Sequence, residues 1–514
     1  MSNSKTSDRR IKYLGLFFST AILFSILYGY TFDKKLDLNG DNANYYMLGK
    51  ALSEGRGFVN INTLNLSPNN HFPPGYPFII SLVMRIVNED FTTLKIINAG
   101  LFFASLIVLF LIFEKITKST VLSVFPIIFL VFNSHFLRYA TMIMTEIPFL
   151  FFSSLTLYLF LNTTEKKGFL RNPNFYGSLL LIAASYYIKT SAIAILGGMV
   201  LYLLWKRRWK TSIAYIFGFV ALISPWIIRG HQLGGNSYLK QLLMINPYRP
   251  EMGQAGAGDF VERFFNNIGR YISKEIPSAN FSFITINYRE ASSLGMWILG
   301  LTLIALIIYG IIKLPNYRIL IGSYLLGTFG ILFLWPDVWV GVRFLLPAVP
   351  FLLLALFSGF FGLLDAWVPR YKSILRWSPL ALLLLFVPAL SKAHGTSTKP
   401  YSSNWNNYFA LAKWIRDNAP GEETVVACRK PTMFYLFSHT YTVNYKYTEN
   451  QQEFLDNLYR KKVKYVVYDQ LGYSSTYRYL RPVIQQHTDR FKLIRQTENP
   501  PTYLFEFDYT PESK

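Results

Sequence analysis

Apolar runs, parted by short loops of which every second one is basic, leave this chain few options other than a bundle of membrane-spanning helices. Eleven runs are read: 13–30, 92–113, 121–136, 147–161, 175–188, 191–205, 212–228, 292–312, 319–335, 344–364 and 378–390. A helical span takes about 20 residues, so 175–188 and 191–205 are the weakest as separate spans. Only 16% of residues are charged, against about 25% in soluble proteins. The fold class expected is a polytopic α-helical membrane protein of about eleven spans, with a small α/β domain at its C-terminal end.

Lysine and arginine in short loops set orientation. Lys5, Arg9, Arg10 and Lys12 precede the first run. Basic loops then recur at Lys115/Lys118, Lys166/Lys167/Arg171, Lys206/Arg207/Arg208/Lys210, Lys313/Arg318 and Arg370/Lys372/Arg376. With the N-terminus inside, the loop after the first run, the long segment 230–290 and the C-terminus fall outside the cytoplasm, in the inner (plasma) membrane. The formal charge of +22 is thereby used in setting topology, which argues against nucleic acid as a partner. The remainder suits anionic lipids or a lipid-linked phosphate. The first run lacks a small-residue cleavage site and reads as a retained span. The single cysteine, Cys428, rules out an intrachain disulfide and Cys-based zinc sites.

Composition changes near Ser391, dividing a membrane domain (1–391) from a polar domain (392–514). Residues 394–400 read as a linker. Beyond it come an amphipathic helix at 405–418 ended by Ala419-Pro420-Gly421, strands at 424–428 and 464–468, a helix at 451–461, and closing strands at 493–495 and 503–507. Strands alternating with helices favour a small α/β domain. It holds no Gly-rich phosphate loop, nucleophile elbow or metal-ligand spacing, and reads as a structural or acceptor-docking cap.

Ionisable groups at a membrane rim are functional candidates, because burying one costs several kcal/mol. Asp41, Arg138, Glu146, Lys189, Arg229 and Arg343 all fall at outer ends of the runs or just beyond them. Such a set suits a reaction between a neutral hydroxyl and an anionic lipid-linked group. A carboxylate can take the proton of the attacking hydroxyl, and cations, or a divalent metal held by the carboxylates, can stabilise a departing phosphate. Each also has a plainer use. Asp41, after Asn39 and Gly40, suits a helix start, as does Glu146 before Pro148. Arg343 suits an interfacial anchor and Arg229, beside Trp226, an interface belt. His71 is a metal ligand, a substrate contact or an ordinary loop histidine. No cofactor is certain; Asp41, Glu146 and His71 are the metal ligands if there is one.

The first outer loop, 31–91, carries a Pro73-Pro74-Gly75-Tyr76-Pro77 corner that holds it against the bilayer, with 78–87 as an amphipathic interfacial helix. Segment 230–290 contains Gly234, Gly235, Gly253, Gly256 and Gly258 and reads as a mobile lid. Within it Tyr248 and Arg249 are candidate substrate contacts.

The pattern G-D-x-A-x-Y-Y-x-L-G-x-x-L from Gly40, followed by P-P-G-Y-P, resembles the GT-C superfamily of polyprenyl-phosphate-sugar-dependent glycosyltransferases. The nearer likeness is to the bacterial branch with protein O-mannosyltransferases and lipid A aminoarabinose transferases. Thr145-Glu146-Ile147-Pro148-Phe149, the segment from Ser224 to Arg229 and that from Arg343 to Pro350 look like stretches common in its bacterial members. The resemblance implies transfer of a sugar, usually with inversion, from a polyprenyl-phosphate carrier to a glycan, lipid or protein acceptor on the extracytoplasmic face. It implies Asp41 as general base or as the group that orients the acceptor nucleophile, Glu146 as the second acidic position, which helps arrange the acceptor or a metal, and Lys189, Arg229 and Arg343 on the leaving phosphate. Where the aminoarabinose transferases carry an acidic-basic pair before the proline corner, this chain has Asn70-His71-Phe72. Two alternatives share part of this pattern. A transporter or flippase would place charges near mid-bilayer with inverted repeats, and no such repeat is found. A polysaccharide polymerase or ligase shares the lipid-phosphate chemistry.

Overall fold

The computed structural model of the chain describes residues 2–38, 40–164, 168–235, 237–419 and 423–508, without the side chains of 2–11, 164, 237 and 238. Asn39, Lys166, Lys167, Pro420 and Gly421, and the side chains of Lys5, Arg9 and Arg10, therefore lie outside the described residues. The first run lies on α1 (Ser2–Thr31). Two helices of the first loop follow, α2 (Gly40–Ser53) and α3 (Gly75–Ile86), then α4 (Phe91–Thr117). Next come α5 (Thr120–Phe132), α6 (Ser134–Ala140), α7 (Glu146–Thr164), α8 (Pro173–Ile188), α9 (Ile193–Trp205) and α10 (Trp209–Gln232). The outer segment holds α11 (Ser237–Leu242), α12 (Ala257–Arg270) and α13 (Ile276–Asn280). Helices α14 (Leu294–Lys313), α15 (Arg318–Phe333), α16 (Val349–Trp367), α17 (Lys372–Leu375) and α18 (Leu383–Thr398) complete the bundle.

Each apolar run thus lies largely on a helix, though not each helix meets the length of a span by itself. Among the described residues seven helices are long and apolar enough to cross a membrane by length and composition, or eight if the bent α5–α6 pair is one span. The other three runs lie on α8, α9 and α15, of 16, 13 and 16 residues. The α5–α6 bend of 64° has a local cause at buried Asn133. Its Oδ1 accepts from His135 N at 3.0 Å and its Nδ2 donates to Ala279 O at 2.8 Å, replacing helix hydrogen bonds lost at the break.

Helices α14 and α16 meet through glycines. A Cβ on Gly310 would lie 1.7 Å from the Ala355 carbonyl oxygen, and one on Gly359 would lie 2.2 Å from that of Leu306. The backbones touch here as small-residue interfaces allow. Gly310→Ala is expected to destabilise the bundle by about 1–3 kcal/mol through overpacking, read as a lower unfolding midpoint of detergent-solubilised protein. A wild-type midpoint would contradict this packing.

Two segments differ from expectation. Residues 257–280 are mostly helical and partly built into the bundle rather than loop: Asn267 Nδ2 donates to the Phe333 and Trp335 carbonyls at 3.0 and 2.9 Å, and Arg270 pairs with fully buried Glu275 at 2.9 Å. Among the described residues, most of 233–256 and all of 281–290 remain irregular. The proline corner is a helix start, and its glycine is required by close approach: a Cβ on Gly75 would sit 2.7 Å from the Tyr187 carbonyl.

The C-terminal domain follows α18. The stretch read as a linker continues that helix to Thr398, where His394 stacks on Tyr30 with ring centroids 4.2 Å apart. Helix α19 (Ser403–Asn418) leads to β1 (Val425–Ala427), α20 (Pro431–Ser438), β2 (Tyr441–Val443), α21 (Gln451–Arg460), β3 (Val463–Tyr468), α22 (Arg481–Gln486), β4 (Phe491–Gln496) and β5 (Tyr503–Phe507). The sheet order is β2-β1-β3-β5-β4, with β2, β1 and β3 parallel and β5 antiparallel to β3 and β4. The first loop is fastened to this domain. Thr442 N donates to Asn62 O at 2.7 Å, and Tyr401 OH donates to Leu36 O at 2.8 Å.

Candidate active site

Asp41 sits in the first turn of α2, where its charge favours the helix dipole. That placement satisfies the plainer reading of Asp41, yet its side chain also faces a cavity of about 260 Å³. The cavity is walled by Tyr45, His71, Glu146, Lys189, Tyr248 and Arg343 among others, with Trp226, Trp335 and Trp339 as aromatic lining.

Local structure explains how distant residues converge there. Buried Asn42 accepts from Ile143 N at 2.8 Å, and buried Asn98 donates to the Met142 carbonyl at 2.6 Å. These bonds pin the turn 141–145 and so aim Glu146, the first residue of α7, into the cavity. Lys189 is the extended residue that breaks α8 from the turn before α9 (φ −152°, ψ 121°). Gly341, at φ +137° in the glycine-favoured region, precedes the short turn that carries Arg343 back toward α2.

Two ion pairs line the cavity. Arg343 Nη1 donates to Asp41 Oδ2 at 3.0 Å, with the side chains 23% and 32% exposed. Lys189 Nζ donates to Glu146 Oε1 at 3.1 Å, with the side chains 16% and 3% exposed. Glu146 Oε2 is buried with no hydrogen-bond partner. The Phe344 ring lies under both cations, 4.6 Å from the Arg343 guanidinium and 5.8 Å from Lys189 Nζ. Burial pulls the Arg343 guanidinium down, but Asp41 and then Glu146 more than reverse this and hold it above its usual value. Burial lowers the His71 imidazole, with Asp41 opposing, so its neutral form is favoured. Burial, then Asp41, raises the Tyr248 phenol.

The other expected residues have different surroundings. Arg138 lies 3.6 Å from Asp37 on the wall of a larger chamber of about 590 Å³, which meets the smaller cavity at Arg343. Arg229 does not line either chamber; its Nη1 donates to Asn69 O at 2.9 Å and its Nη2 to Phe58 O at 3.3 Å, and it stacks on Phe58 and Trp226. It binds the backbone of the first loop because α10 delivers it beside that loop. Arg249 is paired with Glu251 at 3.2 Å and also stands off the cavity, whereas its neighbour Tyr248 lines it. Among the described residues no group of three His, Cys, Asp or Glu side chains could hold a metal ion, so Asp41, Glu146 and His71 share a cavity without forming such a cluster.

Arg229→Gln is accordingly expected to lower stability by about 1 kcal/mol or more through lost charge-assisted hydrogen bonds, read as a lower unfolding midpoint, and a wild-type midpoint would contradict this role.

Two site residues were not anticipated. Tyr45, buried and four residues after Asp41 on the same face of α2, has its phenol pushed well up by burial, then by Asp41 and Glu146. Asp37 partners Arg138. The i, i+4 spacing of Asp41 and Tyr45 was the available signal for the first.

Comparison with known proteins bears on this arrangement. The sequence profile described as dolichyl-phosphate-mannose-protein mannosyltransferase matches residues 71–228. No curated protein matches the sequence. ArnT from Cupriavidus metallidurans bound to undecaprenyl phosphate is similar in fold, with a TM-score of 0.61 at 9% identity over 96% of this chain and 98% of that one. Its apo state gives 0.59 at 10% identity over 97% and 98%. The Archaeoglobus fulgidus oligosaccharyltransferase tethered with an acceptor peptide gives 0.58 at 11% identity, over 96% of this chain and 74% of that one.

Proposed function

We propose that this chain, whose fold is similar to those of ArnT and an oligosaccharyltransferase and part of which matches a mannosyltransferase profile, is a GT-C-like glycosyltransferase that transfers one sugar from a polyprenyl-phosphate carrier to a hydroxyl-bearing envelope glycan, lipid or protein on the extracytoplasmic face. The observation that carries the reading is the pairing of both cavity cations with carboxylates in one chamber. The paired basic loops of the sequence support the outer placement.

The chemistry follows from those pairs. The acceptor oxygen attacks the anomeric carbon, the bond from that carbon to the phosphate oxygen breaks, and its electron pair leaves with the phosphate. Attack from the face opposite the leaving group inverts the centre. Arg343 and Lys189 hold the phosphate and stabilise the charge it gains. An arriving phosphate competes with Asp41 for Arg343 and with Glu146 for Lys189. Asp41, relieved of its partner, takes the proton of the attacking hydroxyl. Glu146 keeps Lys189 placed. The larger chamber, which meets the first at Arg343, is the approach for the acceptor. The transporter reading is less favoured, since these charges gather at the helix ends around one cavity instead of along a mid-bilayer path.

Binding of undecaprenyl phosphate to protein in nanodiscs tests the donor side, with the cavity tryptophans as fluorophores. Saturable quenching is expected, with affinity falling about tenfold or more in Arg343→Gln. Equal affinity for undecaprenol and undecaprenyl phosphate would show that no phosphate is held.

A further inference from the structure

The carboxyl ends of the three parallel strands in the C-terminal sheet converge beside Asp41. In open α/β sheets ligands settle outside such strand ends. Arg429 and Lys430 follow β1, Tyr447 follows β2, and Asp469 and Tyr473 follow β3. The Arg429 guanidinium lies 4.5 Å from the Tyr473 ring and 5.5 Å from that of Tyr447, and the Lys430 ammonium lies 4.7 Å from the same Tyr473 ring. Among the described residues no carboxylate stands within ion-pair distance of either cation, although buried Asp469 lies near enough to act on both, and Arg429 Nε is buried without a hydrogen-bond partner. Lys430 reaches over to the start of α2, its Nζ 3.1 Å from where a Cβ on Gly40 would stand, one residue before Asp41.

Two cations and the positive end of a helix dipole thus meet in one place, while Asp41 is engaged by Arg343. Like charges held together on aromatic faces call for an anion between them. An anion held there would rest on residues of the C-terminal domain, and Arg429, Lys430 and Tyr473 do not line the cavity that holds Lys189 and Arg343.

We propose that Arg429, Lys430 and Tyr473 form a second anion site, which grips a phosphate or carboxylate carried by the acceptor and so brings its hydroxyl to Asp41. This rests on the glycosyltransferase reading above and narrows it: the acceptor is an anionic glycan or lipid. The lid contributes to the same wall. Tyr479, whose ring stacks on Tyr447 at 5.4 Å, donates to lid residue Glu251 at 2.9 Å, and this fixes Tyr248 nearby. Burial, then Arg429, pulls the Lys430 ammonium down to about 8, with Asp41, Asp37 and Asp469 opposing.

The test uses full-length protein in nanodiscs saturated with undecaprenyl phosphate, and follows acylation of Lys430 by mass spectrometry. Inorganic phosphate and glucuronate are added separately as probes. At least one is expected to slow Lys430 labelling threefold or more. Arg429→Gln should remove that protection while undecaprenyl phosphate still binds, and Arg429→Lys should retain part of it. Labelling unchanged by both probes would overturn the proposal. So would protection of Lys430 by undecaprenyl phosphate itself, which would assign the cations to the lipid carrier. Failure of the underlying reading shows separately, as wild-type protein that binds no undecaprenyl phosphate, and takes this proposal with it.

Discussion

Asp41→Asn is expected to abolish sugar transfer while leaving the folded protein and its hold on the lipid phosphate in place. Asparagine keeps the size of the side chain and an oxygen that can accept from Arg343 Nη1, now 3.0 Å from Asp41 Oδ2. What it removes is a site for the hydroxyl proton. General-base catalysis contributes about 10²–10⁴-fold, so turnover should fall by that factor or below detection. The stability change should be small, because a partly exposed ion pair contributes about 0–1 kcal/mol. Undecaprenyl phosphate should bind at least as tightly, since Arg343 no longer has a carboxylate competing for it. Wild-type turnover in Asp41→Asn would remove the residue from the mechanism. Loss of both turnover and fold would recast it as a helix-start residue.

Lys189→Gln is expected to damage both stability and activity, and the two effects should separate in a double variant. Glu146 is only 3% exposed and its Oε2 already lacks a partner. Removing Lys189 leaves a buried carboxylate uncompensated, which destabilises by about 3–5 kcal/mol. Glu146→Gln in the Lys189→Gln background removes that charge and should recover most of the loss in unfolding midpoint. Transfer should stay low, because neither amide can hold a leaving phosphate. Recovery of transfer along with stability would mean that the pair is structural only.

The reasons some of this site was legible in the sequence, and some not, are physical. Asp41, Glu146, Lys189 and Arg343 stood out because a charge next to apolar helix sequence is expensive and needs a use; all four line one cavity. Arg229 gave the same signal and meets backbone carbonyls instead, because sequence does not tell which acceptor a guanidinium will find. The glycines at 253, 256 and 258 suggested a long lid, but Gly258 lies in the first turn of the amphipathic α12, which packs through Asn267 and Arg263. Gly395, Ser397 and Thr398 suggested a linker, yet packing of His394 on Tyr30 accompanies a helix there, tertiary contact overriding local propensity. Arg429 and Lys430 carried no signal at all. In a polar domain two adjacent cations are ordinary, and only the convergence of strand ends above α2 sets them apart.

The most direct test of sugar transfer from a lipid phosphate is mass spectrometry of envelope glycans and lipid carriers in a deletion strain, complemented with wild-type or Asp41→Asn protein. The prediction is loss of one sugar from one acceptor and accumulation of a polyprenyl-phosphate monosaccharide, both reversed by wild type and by wild type only. Accumulation of an intact lipid-linked oligosaccharide, or full rescue by Asp41→Asn, would contradict it.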